Sequence, residues 1–439
     1  MIVLISALII LVHTILSCKR LVYGLASFMA VRVLVPETMR SPIQSLSLNS
    51  LLIVILLLVT IFAGKFSIWK IKKDMLGKAL LLFIFLPIIF LPFSDYLDLG
   101  MQVRGWLQIF LTDIMPALLA ICILKTVKDL DIIIKGIFFT MILSLCYGVY
   151  SFVSNSNPWA DYIKSYYATY DVSGVVNEQA EYTDLTRKTT STFVSTNCFG
   201  YYLTYMFAFM LLMKNKISKN KWVLSLLLIL VCMVFSTKRS PIVTLMFILT
   251  YLLRYRKKLI FPIVIIFTIL LILLFTIPAL ENAKTFFMTA VFFWDDSYAD
   301  SVDVHGSNME LRIRQVLYPF VEIKDNLLFG HGWGWCSVYL VVHKSIHPQL
   351  YGFETIFSTA ICELGIMGIF LFVYLFLAAY RYIKNIRVDE KINYALLFVL
   401  SILVLYIATG AMYIYFFFIL LVVLYKSSTF NGYINKKLF

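Results

Sequence analysis

Apolar runs of membrane-spanning length, separated by short polar connections, succeed one another along almost the whole chain. They fall at 1–17, 21–35, 48–64, 79–93, 105–124, 132–153, 197–213, 222–237, 241–253, 259–279, 355–380, 392–409 and 411–425. A helix needs about 20 apolar residues to cross a bilayer core, and only helices and closed barrels satisfy their backbone in lipid. The pattern therefore predicts an all-α, polytopic integral membrane protein of about 12 to 13 transmembrane helices with long external loops. The opening run, MIVLISALIILVHTILS, lacks a basic n-region and a small-residue cleavage site, so it reads as the first span and not as a removable signal.

Lysines and arginines set the orientation. The connections at 18–20, 65–78, 214–221, 254–258 and 381–391, and the tail after 425, are rich in them and fall on one side under strict alternation. That side is expected to be cytoplasmic, with the amino terminus outside. The connection at 125–131 is neutral in this respect, since Asp129 and Asp131 cancel Lys125 and Lys128.

Two long polar segments then land outside: 154–196, rich in Tyr, Asn, Ser and Thr, and 280–354, with four of the five histidines. Loops of such length are often functional. We read 1–439 as a single polytopic membrane domain, with 154–196 an external loop and 280–354 a large external loop carrying short helices. Within the second loop, NMELRIRQVLYPFVEIKDN predicts a short helix with Ile313, Leu317 and Phe320 along one flank, kinked or ended by Pro319. FGHGWGW reads as a tight turn that depends on its glycines.

Composition narrows the function classes. The chain is 61% hydrophobic and only 14% charged, too apolar for ordinary soluble packing. Most of its net charge of +14 lies in the short connections, without a basic patch interleaved with stacking aromatics, so nucleic acid is not an expected partner. The seven cysteines show no ligand spacing and mostly sit in apolar runs, which suits small buried residues better than a disulfide frame or a zinc site.

Candidate chemistry comes from polar residues that break these patterns. In FSTKRSPIV, Lys238 and Arg239 lie on the face that otherwise avoids basic residues, and Ser240–Pro241 mark a helix start, whose free N–H groups add to the positive field. Arg187 in LTRKTTSTF and Arg312 and Arg314 in ELRIRQ are further external arginines, and a guanidinium fork suits phosphate. Their bland alternatives are snorkelling at the membrane edge for Arg187 and pairing with the nine acidic residues of 280–354 for Arg312 and Arg314.

In VHKSIHPQLYGFETI, His343 and His347 are four residues apart, and Glu354 follows where the chain re-enters the membrane. A shared helical face would require helix from Val341 to Ile346, and Pro348 prevents continuation. A neutral imidazole can accept a proton from a sugar hydroxyl. A hydrogen-bonding role in a turn is the alternative for the histidines, and a charge at a helix amino terminus is the alternative for Glu354. The HExxH pattern is absent, and His331 would have to close any metal site from a separate turn, so no metal is expected. Glu363, deeper in the same apolar segment, needs a partner.

Taken in order, TRKTTSTF, TKRSPIV, ELRIRQ, LLFGHGWGW and YGFETIFSTAICELGIMGI resemble the bacterial O-antigen polymerase and ligase superfamily, which includes capsule and exopolysaccharide repeat-unit polymerases. The resemblance covers most of the membrane region and is strongest from 187 to 370. It implies a multi-pass protein of the bacterial cytoplasmic (inner) membrane, active on its periplasmic or extracellular face. The implied donor and acceptor are undecaprenyl-diphosphate-linked glycans, with membrane lipid around them and no nucleotide sugar, cofactor or required metal. A chain-length regulator and a flippase are candidate partners. By resemblance Arg187 and Arg239 contact the donor diphosphate, with Arg312 or Arg314 as a further candidate, and His343 or His347 matches the ligase base; with Glu354 from the residue pattern, His347, His343, Glu354 and Arg239 are the catalytic candidates. The compact His–Asn arrangement of the ligases is missing, which points to a repeat-unit polymerase. A ligase and a lipid-linked oligosaccharide transporter are the competing readings; against the transporter, no matching pair of broken helices is visible in the hydropathy.

Overall fold

The computed structural model describes residues 2–36, 39, 41–42, 47–93, 98–167, 189–193, 195–236, 238–255, 309–343, 347–386, 392–408 and 414–430, with isolated positions at 268, 272, 275, 276, 284 and 288. Over these residues the protein is all-α and polytopic, built for a membrane. The first helices are α1 (Ile2–Lys19), α2 (Leu21–Leu34), α3 (Leu48–Phe62), the short α4 (Ile68–Lys73) and α5 (Met75–Phe85), which tightens into 3-10 turns over Leu86–Phe93. Pro87 and Pro92 explain the tightening, because neither has an N–H to continue an α ladder. Next, α6 (Leu99–Ile109) passes through a π turn into α7 (Met115–Ile123), followed by α8 (Val127–Ser154) and α9 (Pro158–Tyr167). Then come α10 (Thr196–Leu212), α11 (Lys219–Phe235) and α12 (Arg239–Tyr255). The large loop contributes α13 (Met309–Leu317), α14 (Pro319–Glu322) and α15 (Trp335–His343), and α16 (Ile356–Ile383), α17 (Tyr394–Ala408) and α18 (Ile414–Thr429) complete the bundle.

Every expected span except 259–279 falls on helical structure, 79–93 on α5 with its 3-10 turns and 105–124 across α6 and α7; 259–279 lies outside the described residues apart from isolated helical positions. The four helical stretches longest and most apolar are Met75–Phe93, Leu99–Ile123, Val127–Ser154 and Ile356–Ile383.

Helical periodicity sorts lipid-facing from packed surface. Leu4, Leu8, Leu11 and Ile15 on α1, and Phe139, Leu143, Tyr150 and Val153 on α8, recur at turn spacing and are exposed, as a hydrocarbon-facing stripe should be. By contrast α10 is buried on every side from Cys198 to Leu212, and α18 from Phe416 to Leu424, so these form the centre. The Tyr205 and Tyr406 hydroxyls hydrogen-bond to each other there, joining α10 to α17.

Lipid offers little hydrophobic drive between helices, so buried polar joints set the register, at about 0.6 kcal/mol each on average. His13 bonds Ser27 Oγ at 2.7 Å and the Leu52 carbonyl at 2.9 Å, tying α1 to α2 and α3. Arg20 donates to Asp129 at 2.6 Å, and Asp129 also completes a capping box with Thr126 at the start of α8. A larger joint is the segment Thr189 to Phe193, buried throughout. Its hydroxyls reach Ser144, Ser151 and the Val33 carbonyl, and Asn157 donates to Thr190 Oγ1 and the Ser191 carbonyl, both at 2.9 Å. TRKTTSTF thus ends in a hydroxyl plug wedged among α2, α8 and α10.

Candidate functional site

Two loci gather the residues singled out by the sequence. The first surrounds the start of α12. Thr189 N–H donates to the Phe235 carbonyl at 3.1 Å, so the chain just after Arg187 lies at the end of α11. Arg239 opens α12 four residues beyond Phe235, and Pro241 packs on Gly200 of α10 so tightly that a Cβ there would meet Pro241 Cγ at 2.6 Å. TRKTTSTF and TKRSPIV therefore adjoin, although Arg187 and the Arg239 side chain fall outside the described residues. Lys238 is half-buried.

The second locus is built on a break in α16. Gly365 has φ 64° and ψ −155°, which interrupts the helical ladder. The orphaned backbone groups are taken up by the turn from the large loop: His331 N–H donates to the Cys362 carbonyl at 2.7 Å and Gly332 N–H to that of Glu363 at 2.9 Å. In return Ile366 N–H donates to the Leu327 carbonyl at 2.9 Å and Met367 N–H to that of Leu328 at 3.3 Å. Such close backbone approach leaves no room for side chains. A Cβ on Gly330, whose φ is 67°, would lie 2.7 Å from the Cys362 carbonyl oxygen, and one on Gly365 would lie 2.5 Å from Leu328. The buried Glu363 carboxylate accepts the Gly334 and Cys336 N–H groups, capping the start of α15. Phe329 stacks on Phe90 and Phe93, fixing the turn to the 3-10 segment.

On this base sits a small core of Trp335, Cys336, Leu350, Phe353 and Cys362. Trp335, Tyr339 and His343 are spaced by four and share one face of α15. α15 ends at His343 and His347 starts a separate turn closed by paired backbone bonds with Tyr351, so the two histidines do not share a helix face. They meet through Tyr339 instead, whose ring centroid lies 4.2 Å from His343 and 4.9 Å from His347. His343 is exposed and His347 is buried.

Both nitrogens of His347 are engaged. Nδ1 accepts the backbone N–H groups of Gln349 at 3.2 Å and Leu350 at 3.0 Å. The proton of the neutral ring therefore sits on Nε2, which faces Glu322 Oε2 at 3.4 Å. The other Glu322 oxygen lies 4.0 Å from His331 Nε2. Burial holds His347 below the usual histidine pKa, with Glu322 opposing and His343 reinforcing that effect. Tyr339 is pushed up, first by desolvation and then by Glu322 and Tyr318 nearby. Among the described residues no three of His, Cys, Asp or Glu form a group able to hold a metal ion.

α13 covers the turn. Ile313, Leu317 and Phe320 are exposed, whereas Gln315 is fully buried and donates to the Leu350 carbonyl at 3.1 Å. The flank on which the spacing put these three residues faces outward. As expected, Pro319 ends one helix and begins another. Arg314 is exposed and donates to Gln349 Oε1 at 3.4 Å, which brings it beside the His347 turn; the Arg312 side chain is not among those described. Glu354 is exposed, one residue before the Thr355–Ser358 capping box of α16. The turn presenting it holds Tyr351 at φ 51° and Phe353 at φ 53°, unusual for non-glycine residues and maintained by burial of Phe353.

Burial of His331 has a measurable consequence. Its pKa falls from 6.5 to about 4, chiefly by desolvation, against the Glu322 carbonyl and Asp325. Between those values the unfolded chain binds a proton that the folded chain refuses, so stability is complete above pH 6.5 and falls as the pH drops toward 4. The slope is about 1.4 kcal/mol per pH unit for one such group. Thermal melts across that window should show a shallower loss in His331→Gln than in the wild-type protein.

Sequence reasoning missed Glu322 and Tyr339. The i, i+4 spacing of Trp335, Tyr339 and His343 was a usable signal, whereas nothing local links Glu322 to a histidine 25 residues on. Compared with known proteins, residues 224–373, about a third of the chain, match the family model described as O-Antigen ligase. The match contains Arg239, α13 to α15 and the α16 break, but not Arg187 or the Phe90 and Phe93 rings. No curated protein matches the chain.

Proposed function

We propose, from the chain's place in the O-antigen polymerase and ligase superfamily, that it is a polymerase joining undecaprenyl-diphosphate-linked repeat units into a surface polysaccharide. A function in processing membrane-associated glycans follows from the family itself. The observation that supports the finer reading is the ledge built on the α16 break. It sets His343, His347, Tyr339, Arg314 and Glu354 on one braced support at the end of a spanning helix.

In this reading an acceptor hydroxyl attacks the donor's anomeric carbon and undecaprenyl diphosphate leaves. Arg239 and Arg187, with Arg312 and Arg314, bind the diphosphate and stabilise the charge that develops on it. His343 and Glu354, both exposed, contact the acceptor sugar at the mouth of the ledge, and His347 positions a neighbour because its own lone pair is taken. The outward apolar flank of α13 and α14 suits the lipid tail. The reaction needs neither metal nor nucleotide sugar, and it takes place at the outer face of the cytoplasmic membrane, downstream of a flippase and beside a chain-length regulator.

The family match, described as O-Antigen ligase, favours one other reading, transfer of a finished glycan to a different acceptor. Cells lacking the protein separate the two. Loss of a polymerase leaves single repeat units on the lipid carrier and no long polysaccharide. Accumulation of long lipid-linked chains would identify a ligase instead.

A further inference from the structure

Outside the residues already assigned, one carboxylate stands at the centre of the ledge. Glu322 ends α14 with one oxygen 3.4 Å from His347 Nε2 and the other 4.0 Å from His331 Nε2. Its side chain is 24% exposed, enough to meet a substrate hydroxyl but not to be freely solvated. His347 cannot be the proton acceptor in this arrangement, since two backbone N–H groups occupy Nδ1 and the ring proton occupies Nε2. It can only donate, and the group that its Nε2 faces, at 3.4 Å, is a carboxylate. A base held by a second residue, itself held by the backbone, is the arrangement that general-base catalysis requires. The Tyr339 ring, tilted against both His343 and His347, forms an aromatic floor next to it.

We propose that Glu322 is the proton acceptor for the attacking sugar hydroxyl, with His347 as its positioning residue and the Tyr339 ring as the floor of the acceptor-sugar subsite. The acceptor O–H bond breaks and its proton passes to a Glu322 oxygen. A bond forms from that acceptor oxygen to the anomeric carbon, and the bond from the anomeric carbon to the phosphate oxygen breaks, its electron pair leaving on undecaprenyl diphosphate. The proton is then passed to solvent. This rests on the glycosyl-transfer reading above and adds the base that reading leaves open.

The test uses the full-length protein in lipid vesicles, with a defined undecaprenyl-diphosphate repeat unit as donor and, in separate arms, the same repeat unit or a lipid core as acceptor. Glu322→Gln should lower kcat by about 100-fold or more, with the donor KM within about twofold of wild type. Glu322→Ala should recover part of its rate with added formate, which a purely structural carboxylate would not allow. A Glu322→Gln protein that keeps more than half its kcat overturns the proposal. So does a Glu322→Ala protein that melts with the wild type yet gains nothing from formate. If wild type transfers only to the core, the polymerase reading falls while Glu322 is still scored on that transfer. If wild type makes no glycosidic bond in any arm, both fall.

Discussion

Gly365→Ala should leave a protein that is helical and inserted in the membrane but unable to form glycosidic bonds. Two costs combine at this position. The pair φ 64°, ψ −155° lies where essentially only glycine is stable, which alone costs about 1–3 kcal/mol. The added methyl would also sit 2.5 Å from the Leu328 backbone, so the FGHGWGW turn must withdraw from the α16 break. Withdrawal leaves the N–H groups of Ile366 and Met367 and the carbonyls of Cys362 and Glu363 without their present partners. The same displacement moves α15, because Glu363 caps it, and with α15 go Tyr339 and His343. Circular dichroism should therefore change little, while the thermal midpoint drops and repeat-unit transfer falls to background. Gly330→Ala, pressed against Cys362 from the other side, should behave alike.

The second large effect is expected at Arg239. Arg239→Lys keeps the charge and loses the planar fork, so release of undecaprenyl diphosphate should slow by about 10- to 100-fold. Arg239→Ala, which removes the charge as well, should cost about 1,000-fold. Release measured on a labelled lipid carrier reports this directly. Equal rates for Arg239→Lys and wild type would remove Arg239 from the diphosphate site. Its position at the opening of α12, beside the chain that follows Arg187, is why it is ranked first among the arginines.

The spanning helices were legible because each is a local fact of hydropathy, and Pro319 and the glycines of FGHGWGW marked real turns for equally local reasons. What hydropathy could not show was the break at Gly365. A glycine within an apolar run reads as an ordinary helix residue until a distant loop supplies partners for the backbone it exposes. Glu322 was invisible for the same reason, since its meaning depends on a histidine delivered by another turn. Spacing placed Ile313, Leu317 and Phe320 on a single flank, and all three are exposed there; which way that flank points depends on what α13 packs against, which spacing does not carry. His343 and His347 come together across the intervening Tyr339 ring and not on a shared helix face, and no local spacing announces a contact of that kind.

The most direct measurement is product length in sealed vesicles that contain only this protein and one defined undecaprenyl-diphosphate repeat unit. A polymerase yields a ladder of longer lipid-linked chains, with one undecaprenyl diphosphate released for each new bond and a rate unaffected by chelators. Repeat units that cross the bilayer unjoined, or that join only once a lipid core acceptor is supplied, would contradict repeat-unit polymerisation.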